Sequence, residues 1–212
     1  MIDAAHRWES REDGVYSTDD GGRHWRRIYP RYAARVHRLS RTSGLISVGS
    51  PAPACGCATR QLWTRDKGKT WRRAAIGESF VGNQGAVYWW AGGSLFRAAP
   101  GLRSSIRVAH VDDAIVSATI AADGVLALVD RPGRTPQVIL AQGGDARVIT
   151  LPPGPANAVV RTIGGSGSDV HVHGTYVPMS AAGAVRVDWS SKDGGKTWSF
   201  TDLQSPGDGT GS

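Results

Sequence analysis

Residues 190–198 read SSKDGGKTW and residues 64–71 read TRDKGKTW. Both contain Gly-Lys-Thr, the triplet that closes the phosphate-binding loop of many nucleotidases. That loop needs a glycine five positions before its Gly-Lys pair, so that backbone N–H groups wrap the phosphates, and it must open a helix. Ser190 and Trp63 stand where that glycine belongs. The runs that follow, WSFTD and WRRAA, are short, aromatic-led and of strand character. An EF-hand calcium loop needs oxygen ligands at alternate positions and a closing Glu, whereas DGGKTW offers one carboxylate. Neither nucleotide nor calcium is called for.

A third stretch, TDDGGRHW at residues 18–25, completes a repeat of the form Ser/Thr-x-Asp-x-Gly-x-x-Trp. Its members are Thr18, Asp20, Gly22 and Trp25; Thr64, Asp66, Gly68 and Trp71; Ser191, Asp193, Gly195 and Trp198. Each copy lies between two short apolar or aromatic runs, the pattern of a hairpin turn with its strands. The Asp can accept turn N–H groups that no ladder satisfies. Gly supplies a backbone angle that a side chain forbids. The hydroxyl can bond across the turn, and the Trp can pack beneath it. These residues resemble the Asp-box (BNR) repeat of sialidases and many other β-propellers, in which their role is structural. The resemblance implies an all-β fold of four-stranded antiparallel blades.

Spacing agrees with that expectation. Thr18 to Thr64 is 46 positions, and Thr64 to Ser191 is 127, close to three further units of about 42 each. Degenerate turns are then predicted between them: LFRAAPGLRSSIRV (95–108) aligns on 62–75 and keeps Gly101, and LALVDRPGRTPQVI (126–139) keeps Asp130, Gly133 and Thr135. Eighteen strand segments are predicted, from 14–17 to 197–202, among them 24–29, 71–76 and 146–151. Runs such as GVLALVD and QVILA are apolar on both faces, as in strands buried on both sides. The predicted architecture is a single all-β domain over 1–202, a β-propeller of about five blades with the first incomplete. HRW at its start is a remnant strand, the N-terminus is a candidate truncation point, and 203–212 is a disordered tail.

The chain has 212 residues, 28 of them Gly, and a formal charge of +7 carried almost wholly by Arg. A basic balance fits an acidic partner; Arg usage also follows a GC-rich genome, and both readings stand. Cys55 and Cys57 fit either a strained Cys-x-Cys disulfide or two thiols. No run of ~20 apolar residues spans a membrane. The polar start, MIDAAHRWESREDG, does not read as a signal peptide.

Four constellations carry candidate chemistry. In RHWRRIYPRYAARVHRLSR (23–41), Arg26, Arg27, Arg31 and Arg35 are anion-binding candidates, because guanidinium forks onto carboxylate, sulfate or phosphate. Arginines after each of the first two repeats also protect exposed sheet edges. In DVHVH, Asp169, His171 and His173 share one strand face, the spacing of a metal pair lacking a third ligand; a wet channel wall is the other reading. Trp89 and Trp90 form a sugar platform or pack one inward. The sialidase resemblance implies an Arg triad, a Tyr–Glu nucleophile, an acid/base Asp and Arg-Ile-Pro before the first box. Here RIYP (27–30) follows the first box, and the only Glu residues are Glu9, Glu12 and Glu78. No catalytic set can be named.

The resulting expectation is a non-catalytic, monomeric recognition or scaffolding propeller. Its partner is a protein or a glycan, with an acidic ligand fitting the charge, and neither nucleotide, nucleic acid nor cofactor. The closest non-sialidase resemblance is to photosystem-assembly-type and bacterial exported propellers, which implies an extracellular or periplasmic location. The enzymatic alternative is a sialidase-like exo-glycosidase, or a fragment of one, acting on acidic sugars.

Overall fold

The computed structural model describes residues 5–49, 60–77, 79–82, 86–99, 101–155, 157–178 and 183–203. Cys55, Cys57, Glu78 and the tail from residue 204 lie outside the described residues, and so do the expectations attached to them. No helix among the described residues is long and apolar enough to cross a membrane.

The described residues form five sheets in which consecutive strands are neighbours. The first holds β1 (Arg7–Arg11), β2 (Gly14–Thr18) and β3 (Arg26–Tyr29). The second holds β4 (Arg35–Arg38), β5 (Gly44–Val48), β6 (Arg60–Thr64) and β7 (Arg72–Arg73). The third holds β8 (Ser79–Gly82), β9 (Val87–Ala91), β10 (Ser94–Ala98) and β11 (Ser105–His110). The fourth holds β12 (Ala114–Ala121), β13 (Gly124–Asp130), β14 (Gln137–Gln142) and β15 (Asp145–Thr150). The fifth holds β16 (Val159–Ser166), β17 (Asp169–Tyr176), β18 (Val185–Ser191) and β19 (Ser199–Leu203).

The repeated turns fix the equivalence of the sheets. In the second and fifth sheets the turn joins the third strand to the fourth, β6 to β7 and β18 to β19. In the first it joins β2 to β3, so β1, β2 and β3 stand for strands two, three and four. One bond recurs with this register. The residue before each repeat glycine donates its N–H to a carbonyl just before the second strand: Gly21 to Ala5 at 2.9 Å, Lys67 to Thr42 at 2.8 Å and Gly194 to Ser168 at 2.9 Å. Among the described residues the first sheet is three-stranded.

Three expectations change. β1 is a full strand, paired from Arg7↔Thr18 to Arg11↔Gly14; its sequence RWESR has one apolar residue, too little to announce it. The predicted strand 71–76 shrinks to Arg72–Arg73, because the Ala75 N–H turns away to the Leu102 carbonyl at 2.7 Å. The segment 126–139 is not a degenerate repeat turn. It joins β13 to β14, second strand to third, while the third-to-fourth connection of that sheet is the pair Gly143–Gly144 between Gln142 and Asp145. The other candidate holds its place: Ala99 and residues 101–104 lie between β10 and β11, third strand and fourth, with Gly101 at φ +82°.

The chain divides into two compact units, Met1–Trp89 with Arg97–Ile106, and Trp90–Phe96 with Arg107–Ser212. In the first unit Leu45 and Ile46 are both fully buried. As neighbours on β5 they face opposite sides. Leu45 packs with Leu39, Trp63, Val87 and Leu102, and Ile46 with Val15, Ile28 and Ala33, so the second sheet is covered on both faces. In the second unit the inner residues of β13 and β14, Val125 to Val129 and Val138 to Ala141, are apolar and buried, and Leu126, Leu128, Val138 and Leu140 join Val170, Val172, Val187 and Trp189 in one core. The final strands are the exposed ones: both residues of β7 and five of the six of β15. Charged residues there discourage edge-to-edge pairing.

Candidate functional site

The three repeat turns share one hydrogen-bond relay. The hydroxyl of the first residue accepts the glycine N–H: Thr18 from Gly22 at 2.9 Å, Thr64 from Gly68 at 3.1 Å and Ser191 from Gly195 at 2.8 Å. The same hydroxyl donates to the Asp: Thr18 to Asp20 at 2.7 Å, Thr64 to Asp66 at 2.6 Å and Ser191 to Asp193 at 2.8 Å. The Asp then accepts the N–H of the residue before the Trp, His24 at 3.0 Å, Thr70 at 2.9 Å and Thr197 at 2.9 Å. The threonines of the two Gly-Lys-Thr triplets donate their hydroxyls to Asp66 and Asp193, each at 2.6 Å. Amides that a phosphate loop would present to a ligand are thus spent on the turn itself. Each glycine also has positive φ, +99°, +79° and +90° at Gly22, Gly68 and Gly195.

These bonds hold the three carboxyls well below the usual carboxylate range; the largest contributor is the His24 amide on Asp20, the Thr64 hydroxyl on Asp66 and the Thr197 hydroxyl on Asp193. A depressed folded-state pKa adds stability above the ordinary value of 3.8, lost as the pH falls below it towards the folded value. Thermal melts from pH 6 down to pH ~2 are expected to show Tm falling below pH ~4, with a shallower fall in Asp66→Asn and Asp193→Asn. A parallel fall in parent and variants would contradict the relay.

The tryptophans diverge. Trp71 donates to the Ile28 carbonyl at 2.9 Å and meets Trp8 and Tyr29 edge-on. Trp198 donates to the Gly195 carbonyl at 3.0 Å. Trp25 does not pack as local core: Arg11 and Arg7 lie over its ring at 4.9 and 5.9 Å.

The arginine candidates do not share one strand. Arg26 and Arg27 lie on β3, Arg31 in the connection and Arg35 on β4. Arg26 donates to the Lys67 carbonyl at 3.0 Å. Arg27 donates to the Asp13 and Pro30 carbonyls, with the Asp13 carboxylate at 3.9 Å. The sequence did not announce Arg38, whose side chain is 5% exposed, donates to the Ser40 and Arg41 carbonyls, and lies 3.6 Å from Asp19.

Asp169, His171 and His173 do share a face of β17, and protein side chains surround them. Buried Asp188, opposite His173 on β18, takes His171 Nδ1 at 2.9 Å. His173 Nδ1 also lies 2.9 Å from it, off the hydrogen-bonding direction, since that Asp188 oxygen has no hydrogen bond. His171 Nε2 reaches Asp169 at 3.0 Å, and Lys192 caps Asp169 at 2.9 Å. Among the described residues no group of three or more His, Cys, Asp or Glu is arranged for a metal. Asp188, the member the sequence reading missed, sits in the alternating run VRVDW, and only the β17–β18 register shows whom it faces.

The Asp188 carboxylate raises His171 above 6.5. The protonated imidazole is therefore favoured by folding. Its stabilisation is complete below pH 6.5 and lost as pH rises through the raised value. A proton NMR titration is expected to give His171 a midpoint above 6.5 that drops in Asp188→Asn; a parent midpoint at or below 6.5 would contradict the pairing.

No protein-family model matches the chain, and no curated protein matches it. Among solved structures the N-terminal domain of Nup159 matches at TM-score 0.57 and 11% identity, over 95% of this chain and 59% of that one. YCF48 from Cyanidioschyzon merolae matches at 0.51 and 14%, over 95% and 82%. The fold is a β-propeller. YCF48 bound to D1 peptide matches at 0.49 and 14%, over 94% and 78%.

Several residues weighed under the sialidase resemblance have local partners, and Glu78 lies outside the described residues. Arg27 and Tyr29 of RIYP lie on β3, a sheet edge, and Arg27 is held by backbone carbonyls. Glu9 pairs with Arg11 at 3.2 Å, both half-exposed. Trp89 lines a cleft, its Nε1–H donated to Ser105 Oγ at 2.8 Å.

Proposed function

We propose that this propeller is a non-catalytic recognition module that binds an acidic segment of a protein partner through the basic edges of its first two sheets. One observation carries the reading: Arg26, Arg27 and Arg72 are exposed on β3 and β7, and among the described residues neither Arg26 nor Arg72 has a carboxylate partner. Charge-assisted pairing with carboxylates is the interaction such guanidinium groups can still make. The net charge of +7 favours the same partner at long range. The three repeats fit the same reading as Asp-box turns whose Asp, Gly and hydroxyl residues build the fold and leave recognition to other surfaces. The arginines follow the turns directly, and the Asp carboxylates are consumed inside them.

A labelled oligoglutamate peptide of about ten residues is the test ligand. Binding is expected to weaken steeply between 50 and 200 mM salt, as screening of several ion pairs requires, and by ~10-fold or more in a triple Arg26→Gln, Arg27→Gln, Arg72→Gln variant. Unchanged affinity in that variant would overturn the assignment. Hydrolysis of a sialoside reporter, lost on changing a single Tyr or Glu, would replace it with the glycosidase.

A further inference from the structure

The two residues of β7 point to opposite sides, as neighbours on a strand must. Arg72 lines one shallow cleft with Trp63, Arg65, Asp66 and Thr70. Arg73 lines another, of about 560 Å³, with Ala74, Ala75, Ile76, Gly77, Trp89 and Arg103. The second cleft lies wholly within the first compact unit. Its volume falls in the range of ~300–1,000 Å³ that holds small ligands.

The cleft is built rather than incidental. The Trp89 indole is fixed by its bond to Ser105 Oγ, which in turn donates to the Ala75 carbonyl at 3.1 Å. Gly77 lies against the ring so closely that a Cβ there would come within 2.6 Å of Trp89 Cε3. The Ala75 N–H to Leu102 carbonyl bond ties the wall to the turn carrying Arg103, next to Leu102, a non-glycine residue at φ +53°. Ala74, Ala75 and Ile76 make that wall apolar. Arg73 and Arg103 are exposed, and no hydrogen bond or ion pair among the described residues engages either side chain. An indole and an apolar wall select an apolar or aromatic body; two unpaired guanidinium groups select an anion, with carboxylate matching their planar fork.

We propose that the Arg73–Trp89–Arg103 cleft is a binding pocket for an amphipathic carboxylate, an aromatic or aliphatic body bearing one carboxylate group. A free organic acid and the C-terminal residue of a peptide share this chemistry. The site is separate from the basic edges of Arg26, Arg27 and Arg72.

The Trp89 indole N–H signal, assigned by its loss in Trp89→Phe, reports binding by NMR. Phenylacetate is expected to shift it saturably with Kd on the order of 1 mM, as suits a fragment. The Kd is expected to rise ~10-fold or more in Arg103→Gln and in Arg73→Gln, and for neutral phenylacetamide. The triple variant of the edge arginines is expected to bind phenylacetate normally, so the two sites fail or stand independently. The seven other indole signals verify that each variant is folded. No saturable shift up to ~20 mM, or equal binding of the amide, or indifference to both Arg substitutions would overturn the proposal. With the proposal upheld, an N-acetyl dipeptide ending in a free Phe carboxylate separates the sources: tighter binding than phenylacetate assigns a chain terminus, weaker binding a free acid.

Discussion

Gly195→Ala is expected to destabilise the protein by ~2–4 kcal/mol. Two effects add. Gly195 has φ +90°, where a Cβ is strained by about 1–2 kcal/mol. It is also pressed against the fourth sheet: a Cβ would lie 2.6 Å from Leu126 Cδ1 and 2.9 Å from Cδ2. Leu126 is fully buried and cannot move aside without disturbing the core, and overpacking of this kind costs about 1–3 kcal/mol. The same substitution at Gly144, which has no neighbour within 4 Å, is expected to stay within ~0.5 kcal/mol. Urea melts of the two variants make the comparison. Equal losses would mean that the repeat glycine is an ordinary loop residue. Gly68 belongs to the same class, with a prospective Cβ 2.6 Å from Ile28 Cβ of the first sheet. In both cases the repeat glycine lets a turn close down on a core residue of the sheet before it.

Trp189→Ala is expected to cost ~3–5 kcal/mol, the range for emptying a buried aromatic site. The indole is fully buried, meets Phe200 at 5.2 Å between centroids, and donates Nε1–H to the Pro152 carbonyl at 2.9 Å. Gly154 and Gly174 are shaped to it, with prospective Cβ positions 2.6 and 3.3 Å from its ring. Removal therefore leaves a cavity bounded by backbone that cannot collapse easily, and a carbonyl without its donor. Trp25→Ala is expected to cost much less, ~1 kcal/mol or below, because that ring is covered by Arg7 and Arg11 rather than by core. Equal losses at the two positions, measured by denaturant unfolding, would contradict this division.

The turns were legible because every bond of the relay is local: hydroxyl, Asp and Gly lie within four residues, and their identities dictate the geometry. Their placement between the third and fourth strands followed once one register was known. β1 was not legible, since RWESR derives its strand character from pairing with β2 rather than from its own residues. Nor was the shortness of β7, which depends on the bond from Ala75 to Leu102. For sites the contrast is sharper. The alternation in DVHVH correctly put Asp169, His171 and His173 on one face, but Asp188 reaches them only across a ladder. Trp89, Arg73 and Arg103 meet through the 74–77 segment and residues 101–104, and no spacing in the chain marks them as neighbours.

Amide hydrogen exchange, read residue by residue, tests most directly whether the three repeats are the turns of this propeller. Slow exchange is expected at Gly22, Gly68 and Gly195, whose N–H groups are held by Thr18, Thr64 and Ser191, and at His24, Thr70 and Thr197, held by the Asp carboxylates. Asp193→Asn is expected to speed exchange at Thr197 more than at Thr70. Exchange at all six amides at the rate of an open loop would contradict the relay and, with it, the assignment of these repeats to the fold rather than to a ligand.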